Sequence, residues 1–127
     1  MPEIAKAYQD FEEVISGMYQ RVEKNGSRFL IVLFPLHIQV APVYWNRLTK
    51  YYSLDATKFD LTYPNQRIGA FCREKQIAYL DATDAFRQHY QQSLSPLFMP
   101  RGDAHYNASG QAVVSQLIET YILQQRR

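Results

Sequence analysis

The run Phe29-Leu30-Ile31-Val32-Leu33-Phe34, which Pro35 closes, decides the fold of this chain. Six consecutive apolar residues without polar alternation are typical of a short strand that is covered on both faces. Proline ends the run because it lacks the backbone N–H that a strand donates to its neighbour. We therefore expect residues 29–34 to form a buried strand.

A second strand is predicted at residues 77–80. The run Ile77-Ala78-Tyr79-Leu80 is short and mostly apolar, and it ends at Asp81. Helical stretches lie between the two runs, and strands that helices separate pair in parallel through right-handed crossovers. We therefore expect an α/β fold with a small parallel sheet flanked by helices. The length of the chain predicts a single domain over residues 1–127.

Apolar residues recur at three- and four-residue spacing in five segments, as they do in helices that bury one face. These segments are residues 3–24, residues 41–52, a stretch opened by Pro64, residues 83–92 and the stretch after Asn107, which is a good N-cap. In the first helix the residues expected to be buried are Ile4, Phe11, Val14, Ile15, Met18, Tyr19 and Val22. In the second they are Val43, Trp45, Leu48 and Tyr52.

The predicted sheet is unusually small, and a buried strand with an unpaired edge tends to recruit another strand. One alternative is that further strands lie in residues 93–100 or in residues 53–63, where Phe59, Leu61 and Tyr63 alternate briefly. The other is that a second copy of the chain, or a segment absent from it, completes the sheet. The sequence leaves both alternatives open.

The composition excludes several classes of protein. The net charge is only +2 and the basic residues are scattered, so we expect no nucleic-acid partner. No apolar run approaches the roughly 20 residues that span a bilayer. The N-terminus lacks a signal-peptide pattern, so we expect no membrane partner and a cytoplasmic location. Cys72 is the only cysteine, and no metal-ligand spacing such as H-E-x-x-H occurs, so neither a metal nor a cofactor is expected.

The segment Asp103-Ala104-His105 places a carboxylate two residues before an imidazole. Residues i and i+2 of an extended backbone point to the same side. The carboxylate can then bond one ring nitrogen and leave the other free to accept a proton, which makes a general base. The structural alternative is that Asp103 is a turn residue after Gly102 and His105 a solvated loop residue.

The residues around this pair form a longer block, which reads D-x-H-aromatic-N-x-x-G over residues 103–110. This block resembles the SGNH (GDSL-like) hydrolase superfamily, whose members carry Asp and His shortly before the last helix. The short spacing is similar to that of the branch that includes alginate O-acetyltransferase-like proteins. The strand ending at Pro35 and the pair Tyr44-Trp45 resemble the second half of the domain in that family. The resemblance covers roughly residues 25–125 and implies the back half of a three-layer α/β/α domain.

What the resemblance implies is acyl transfer. Asp103 would orient His105, and His105 would activate a serine that attacks a small ester or an acetylated carbohydrate. The family's serine lies in a Gly-Asp-Ser motif, which this sequence does not contain. The chain is therefore expected to supply the His–Asp pair of an ester hydrolase or O-acyltransferase, with a complementing N-terminal half. The alternative is a non-catalytic α/β interaction module that forms homo-oligomers through its sheet edge.

Other side chains have both a structural and a functional interpretation. His37 follows the end of the first strand, where open α/β sheets bind ligands, but it could equally pack in a loop. Cys72 is expected in the core, Asp81 is expected to cap the next helix, and His89 is expected on a solvated face. Ser109 is near His105 in sequence, but a serine at a helix start is usually a capping or solvated residue.

The aromatic residues of the second helix are unusually dense. Tyr44, Trp45, Tyr51 and Tyr52 lie within nine positions of one another. Either they pack the helix against the rest of the fold, or they form a surface for a sugar or a partner.

Overall fold

The computed structural model describes residues 2–93, 96–100 and 103–125. Its helices, in chain order, are α1 (Pro2–Lys24), α2 (His37–Val40), α3 (Pro42–Tyr51), α4 (Tyr63–Glu74), α5 (Thr83–Ser93) and α6 (Ala108–Gln124). Its strands are β1 (Leu30–Leu33) and β2 (Ala78–Asp81), and a 3-10 turn covers Ala56–Lys58. Gly102, the residue before Asp103, lies outside the described residues.

The strands β1 and β2 pair in parallel, with Leu30 opposite Ala78 and Leu33 opposite Asp81. This pairing confirms the mixed α/β class and the parallel sheet that the sequence predicts. Within the described ranges the sheet consists of these two strands, so each has an outer edge with no partner there. Every residue of β1 is consequently only partly buried, although the apolar run predicts a buried strand.

The sheet separates two apolar cores, because alternate residues of a strand point to opposite faces. Val32 packs against the first core and Ile31 against the second. The buried residues of the first core are Val40, Ala82, Phe86, Leu97, Phe98 and Val114. Those of the second are Phe71, Cys72 and Ile77, covered by Phe11, Ile15 and Tyr19 of α1. Helices therefore lie on both faces of the sheet, α5 and α6 on one side and α1 and α4 on the other.

The predicted buried face of α1 is wrong in part. Three of the residues that the sequence predicts to be buried are exposed, namely Ile4 (48%), Val14 (61%) and Met18 (48%). In and after α3, Val43 and Tyr52 are likewise exposed. Each helix contacts the fold along a narrow stripe, and nothing in the described part of the chain covers the flanks of that stripe. None of the helices within these ranges is both long and apolar enough to cross a membrane.

The alternative of a further strand within residues 53–63 does not hold, because the structure records none there. Two aspartates turn the chain in this region. Asp55 Oδ1 accepts the N–H of Thr57 at 3.1 Å, and Asp60 Oδ1 accepts the N–H of Thr62 at 2.8 Å. Turns of this kind compete with extended backbone, so this segment adds no strand to the sheet.

Candidate functional site

The Asp–His segment lies in sequence between Phe98 and Tyr106, which form a short antiparallel bridge. The N–H of Met99 donates to the carbonyl of His105 at 2.8 Å. Phe98 is buried in the first core. The bridge therefore fixes the backbone at His105 relative to the core. Within residues 96–100 the structure records this bridge and no strand, and residues 94 and 95 of the stretch considered for a further strand lie outside the described residues.

Asn107 caps α6, as the sequence predicts. Its Oδ1 accepts the N–H of Gly110 at 3.0 Å, and its own N–H donates to the carbonyl of Leu97 at 3.1 Å. Its Nδ2 donates to the carbonyls of Pro96 at 2.7 Å and Phe98 at 3.3 Å. One side chain therefore starts the helix and ties it to the segment that precedes the Asp–His pair.

Gly110 has a packing role in the same block. A Cβ at this position would collide with the backbone carbonyl of Leu97 and press on Tyr106. The first turn of α6 can approach residues 96–98 this closely only because residue 110 has no side chain. The Asn and the Gly of the N-x-x-G pattern thus both serve to dock α6.

Tyr106 joins the segment to the sheet. Its hydroxyl donates to the carbonyl of Pro35 at 2.7 Å, and its ring lies 5.1 Å from that of Phe34. Phe34 and Pro35 directly follow β1, so Tyr106, the residue after His105, is anchored beside the carboxyl end of that strand. Open α/β sheets bind their ligands at this edge. Burial raises the pKa of the Tyr106 phenol, so that its hydroxyl remains a donor.

Asp103 and His105 are brought together as the sequence predicts. The distance from Asp103 Oδ1 to His105 Nδ1 is 2.5 Å, and the same oxygen accepts the backbone N–H of His105 at 2.9 Å. The His105 side chain is 88% exposed and that of Asp103 is 48% exposed. The carboxylate therefore fixes the imidazole through one ring nitrogen, while most of the ring faces solvent.

The Asp103 carboxyl is held in its charged form. The backbone N–H of His105, and after it the imidazole, hold the pKa of this carboxyl below its usual range. An ionised carboxylate on Nδ1 favours the tautomer with a proton on that nitrogen and leaves Nε2 to accept one. The pair therefore has the geometry that a general base requires. Within the described residues, the structure records no hydrogen bond between His105 and a hydroxyl group.

Asp81 and Cys72 have the structural roles that the sequence predicts. Asp81 Oδ1 accepts the N–H of Thr83 at 2.9 Å, which satisfies the first amide of α5. Cys72 is fully buried in the second core, and burial raises the pKa of its thiol. A buried thiol that resists ionisation is a core residue rather than a nucleophile.

His37 is packed rather than solvated. Its ring lies 4.9 Å from that of Tyr44 and 5.9 Å from that of Phe98. Its Nδ1 is buried, and no residue in the described part of the chain bonds it. Across the same ranges, no group of three or more His, Cys, Asp or Glu side chains is placed to hold a metal ion.

The aromatic residues near α3 do not form a single cluster. Trp45 packs on Phe59 with ring centroids 5.6 Å apart, whereas Tyr51 and Tyr52 contact each other at 4.8 Å. Tyr51 is 81% exposed. Helix packing therefore accounts for Trp45 but not for the two tyrosines that follow it.

A polar network that the sequence does not predict lies at the carboxyl end of β2. Gln39 Nε2 donates to Asn65 Oδ1 at 2.8 Å, and Asn65 Nδ2 donates to Asp81 Oδ2 at 2.8 Å. These residues line a cleft of about 330 Å³ together with Arg73 and Arg87. They lie far apart in sequence, on α2, α4 and β2, so no local spacing could have revealed them.

Comparison with known proteins yields no match to this chain among family models, curated proteins or solved structures.

Gly110 and Gly17 form a matched pair for testing how α6 docks. We expect Gly110→Ala to lower the free energy of unfolding by about 1–3 kcal/mol, because the new methyl group overpacks against backbone. Gly17→Ala in α1 should instead raise it by up to about 1 kcal/mol, because no atom lies within 4 Å of the place its methyl group would occupy and alanine favours helix. Urea unfolding measures both, and equal stability of the two variants would contradict the docking described here.

The pKa of Asp103 tests the pairing directly. In His105→Ala it should rise only part of the way to its ordinary value, because the backbone N–H of residue 105 is retained. The lowered pKa also means that ionised Asp103 favours the folded state at higher pH, a contribution lost as pH falls through its folded-state pKa. Carboxyl NMR titration measures the shift. Asp55, whose low pKa comes first from the Thr57 hydroxyl, is the internal control and should not move.

Proposed function

We propose that this chain is the His–Asp portion of an SGNH-like ester hydrolase or O-acyltransferase. The observation that supports it most is the Asp103–His105 hydrogen bond of 2.5 Å, directly before Tyr106, which is anchored at the carboxyl end of β1. The D-x-H-aromatic-N-x-x-G block supports it as well. In this block Tyr106, Asn107 and Gly110 each hold the pair in place, so the whole pattern has a physical reason.

The proposed reaction uses His105 as the general base. Nε2 takes the proton of a serine hydroxyl while the serine oxygen attacks the carbonyl carbon of an ester. Asp103 stabilises the imidazolium that forms. The imidazolium then gives its proton to the departing alkoxide, which leaves an acyl-serine. Water or an acceptor hydroxyl then attacks the acyl-serine while the same nitrogen takes its proton, and the imidazolium returns that proton to the departing serine oxygen, which restores the serine hydroxyl.

The serine and the oxyanion donors belong, in this proposal, to a complementing N-terminal half. The sequence contains no Gly-Asp-Ser motif, and His105 is 88% exposed, as expected of a base whose partner group comes from another segment. Both strands also have an outer edge with no partner in the described ranges, where further strands could add. Short acyl esters, including acetyl groups on a carbohydrate, are the proposed substrates.

A second candidate function is a non-catalytic interaction module. The observation that favours it is the two-stranded sheet itself, with partly buried strand residues and unpaired outer edges in the described part of the chain. In this alternative the edges pair with a second copy of the chain, and the Asp–His contact only shapes a loop.

Substitution of His105 tests the enzymatic proposal. The complementing N-terminal half, which would carry the Gly-Asp-Ser motif, is first sought in the same reading frame or in a neighbouring gene. The two halves together are then assayed with p-nitrophenyl acetate. We expect His105→Ala to lower the rate at least about a hundredfold, the contribution of a general base. The rate should also fall as pH is lowered, because a protonated imidazole cannot accept the serine proton.

His89→Ala is the matched control. His89 lies on α5, outside the Asp–His block, so its substitution should leave the rate unchanged. A fluorophosphonate probe should label the serine of the assembled protein. The absence of any Gly-Asp-Ser half, or equal rates for His105→Ala and the unsubstituted protein, would contradict the proposal.

Molar mass in solution tests the second candidate. Light scattering coupled to size-exclusion chromatography should give twice the mass of the chain or more if its sheet edges pair with another copy. The mass should fall on dilution, because a single edge contact is small. If the molar mass stays that of a monomer at protein concentrations up to about 1 mM, where even weak affinities are detected, self-association is excluded.

A further inference from the structure

A cavity beside His37 has no role in the proposed acyl transfer. Its volume is about 710 Å³, within the range of small-molecule sites. Its lining consists of His37, Tyr44, Arg47, Leu48, Lys50 and Tyr51. It therefore lies between the start of α2 and one face of α3, close to the carboxyl end of β1.

The charged residues of this cavity are both cations. Arg47 and Lys50 are exposed, and neither makes an ion pair within the described ranges. The described lining contains no acidic residue. Two unpaired cations one helical turn apart produce a positive local potential, and an arginine fork suits a carboxylate or a phosphate. The ligand is therefore expected to carry a negative charge.

The remaining wall is apolar and aromatic. Tyr44, Leu48 and Tyr51 line it, and Tyr51 is 81% exposed. Tyr52 contacts Tyr51 edge-on, and the ring of Tyr51 is open to solvent. Exposed aromatic rings offer a large contact area, which suits a planar ring.

His37 adds an observation of a different kind. Its Nδ1 is buried and has no hydrogen-bond partner among the described residues, while Tyr44 and Phe98 hold the ring by packing alone. Buried polar atoms are nearly always bonded, and exceptions call for a reason. The His37 ring is therefore held in the wall of the cavity by aromatic packing, and its buried nitrogen makes no hydrogen bond within the described residues.

We infer that this cavity binds a small aromatic anion. The ring of the ligand lies against Tyr44 and Tyr51, its carboxylate or phosphate is held by Arg47 and Lys50, and the ring of His37 forms one wall of the site. The inference does not rest on the Asp103–His105 pair and goes beyond the proposed acyl transfer.

The test is an amide NMR titration of the full chain with four probes, namely phenyl phosphate, benzoate, phenol and inorganic phosphate. The two aromatic anions should shift the amides of His37 and of residues 44–51. Each should bind at least about tenfold more tightly than phenol or inorganic phosphate, because the ring and the charge are both needed. The stronger of the two anions then identifies the charged group.

Arg47→Gln should weaken binding of the aromatic anion about tenfold, the effect of losing one charge-assisted hydrogen bond. Arg21→Gln on α1 is the matched control and should bind normally. In His37→Phe the ring wall is kept and the unsatisfied buried nitrogen is removed, so binding should be retained while the melting temperature stays the same or rises. The dispersion of the same spectra reports whether each variant folds.

Equal affinity of Arg47→Gln and Arg21→Gln would overturn the inference. Amide shifts confined to residues outside 37–51 would overturn it as well. So would the absence of any shift with either aromatic anion at about 10 mM, a concentration high enough to detect millimolar binding.

Discussion

The side chain of Tyr106 is the contact on which the arrangement of this edge of the molecule depends. Its hydroxyl bonds the carbonyl of Pro35 at the end of β1, and its ring packs among Phe34, Phe86 and Phe98. Its backbone bridges to Phe98. The residue therefore connects the sheet, the first core and the Asp–His pair. A loop anchored in this way can present an exposed imidazole in a defined position, which a solvated loop could not do.

The sequence was sufficient for those features that are set by local pattern. The apolar runs located β1 and β2, the periodicity located the five longer helices, and Asn107 was identified as a cap because its chemistry acts within three residues. The two-residue spacing of Asp103 and His105 likewise predicted a contact that the structure contains. Each of these depends on interactions between residues close in the chain.

The features that could not be predicted from the sequence depend mostly on long-range packing. The exposure of Val14 and Met18 follows from how few elements cover α1, which periodicity cannot report. The contacts of Tyr106 with Pro35 and of Gln39 with Asn65 join residues separated by 71 and 26 positions. The burial of His37 Nδ1 is set by two aromatic neighbours from other elements. Residues 59–63 turned rather than extended because Asp55 and Asp60 bond nearby amides, a local signal that the brief apolar alternation concealed.

Under the acyl-transfer proposal, a single cause explains both the two-stranded sheet of the described residues and the Asp–His pair that has no hydroxyl partner among them. In that account both are completed by the same missing half, which would add strands beside β1 or β2 and place its serine near His105. The alternative account explains the sheet edges by self-association and gives the Asp–His contact no chemical role. The two accounts therefore differ in what they require of the imidazole.

The tautomer of His105 is the most direct test of that difference, and long-range proton–nitrogen NMR of the imidazole measures it. If Asp103 holds the ring as a general base, neutral His105 carries its proton on Nδ1, and Asp103→Asn disturbs that state. If neutral His105 carries its proton mainly on Nε2, the ring cannot accept a proton from a serine and the account is contradicted.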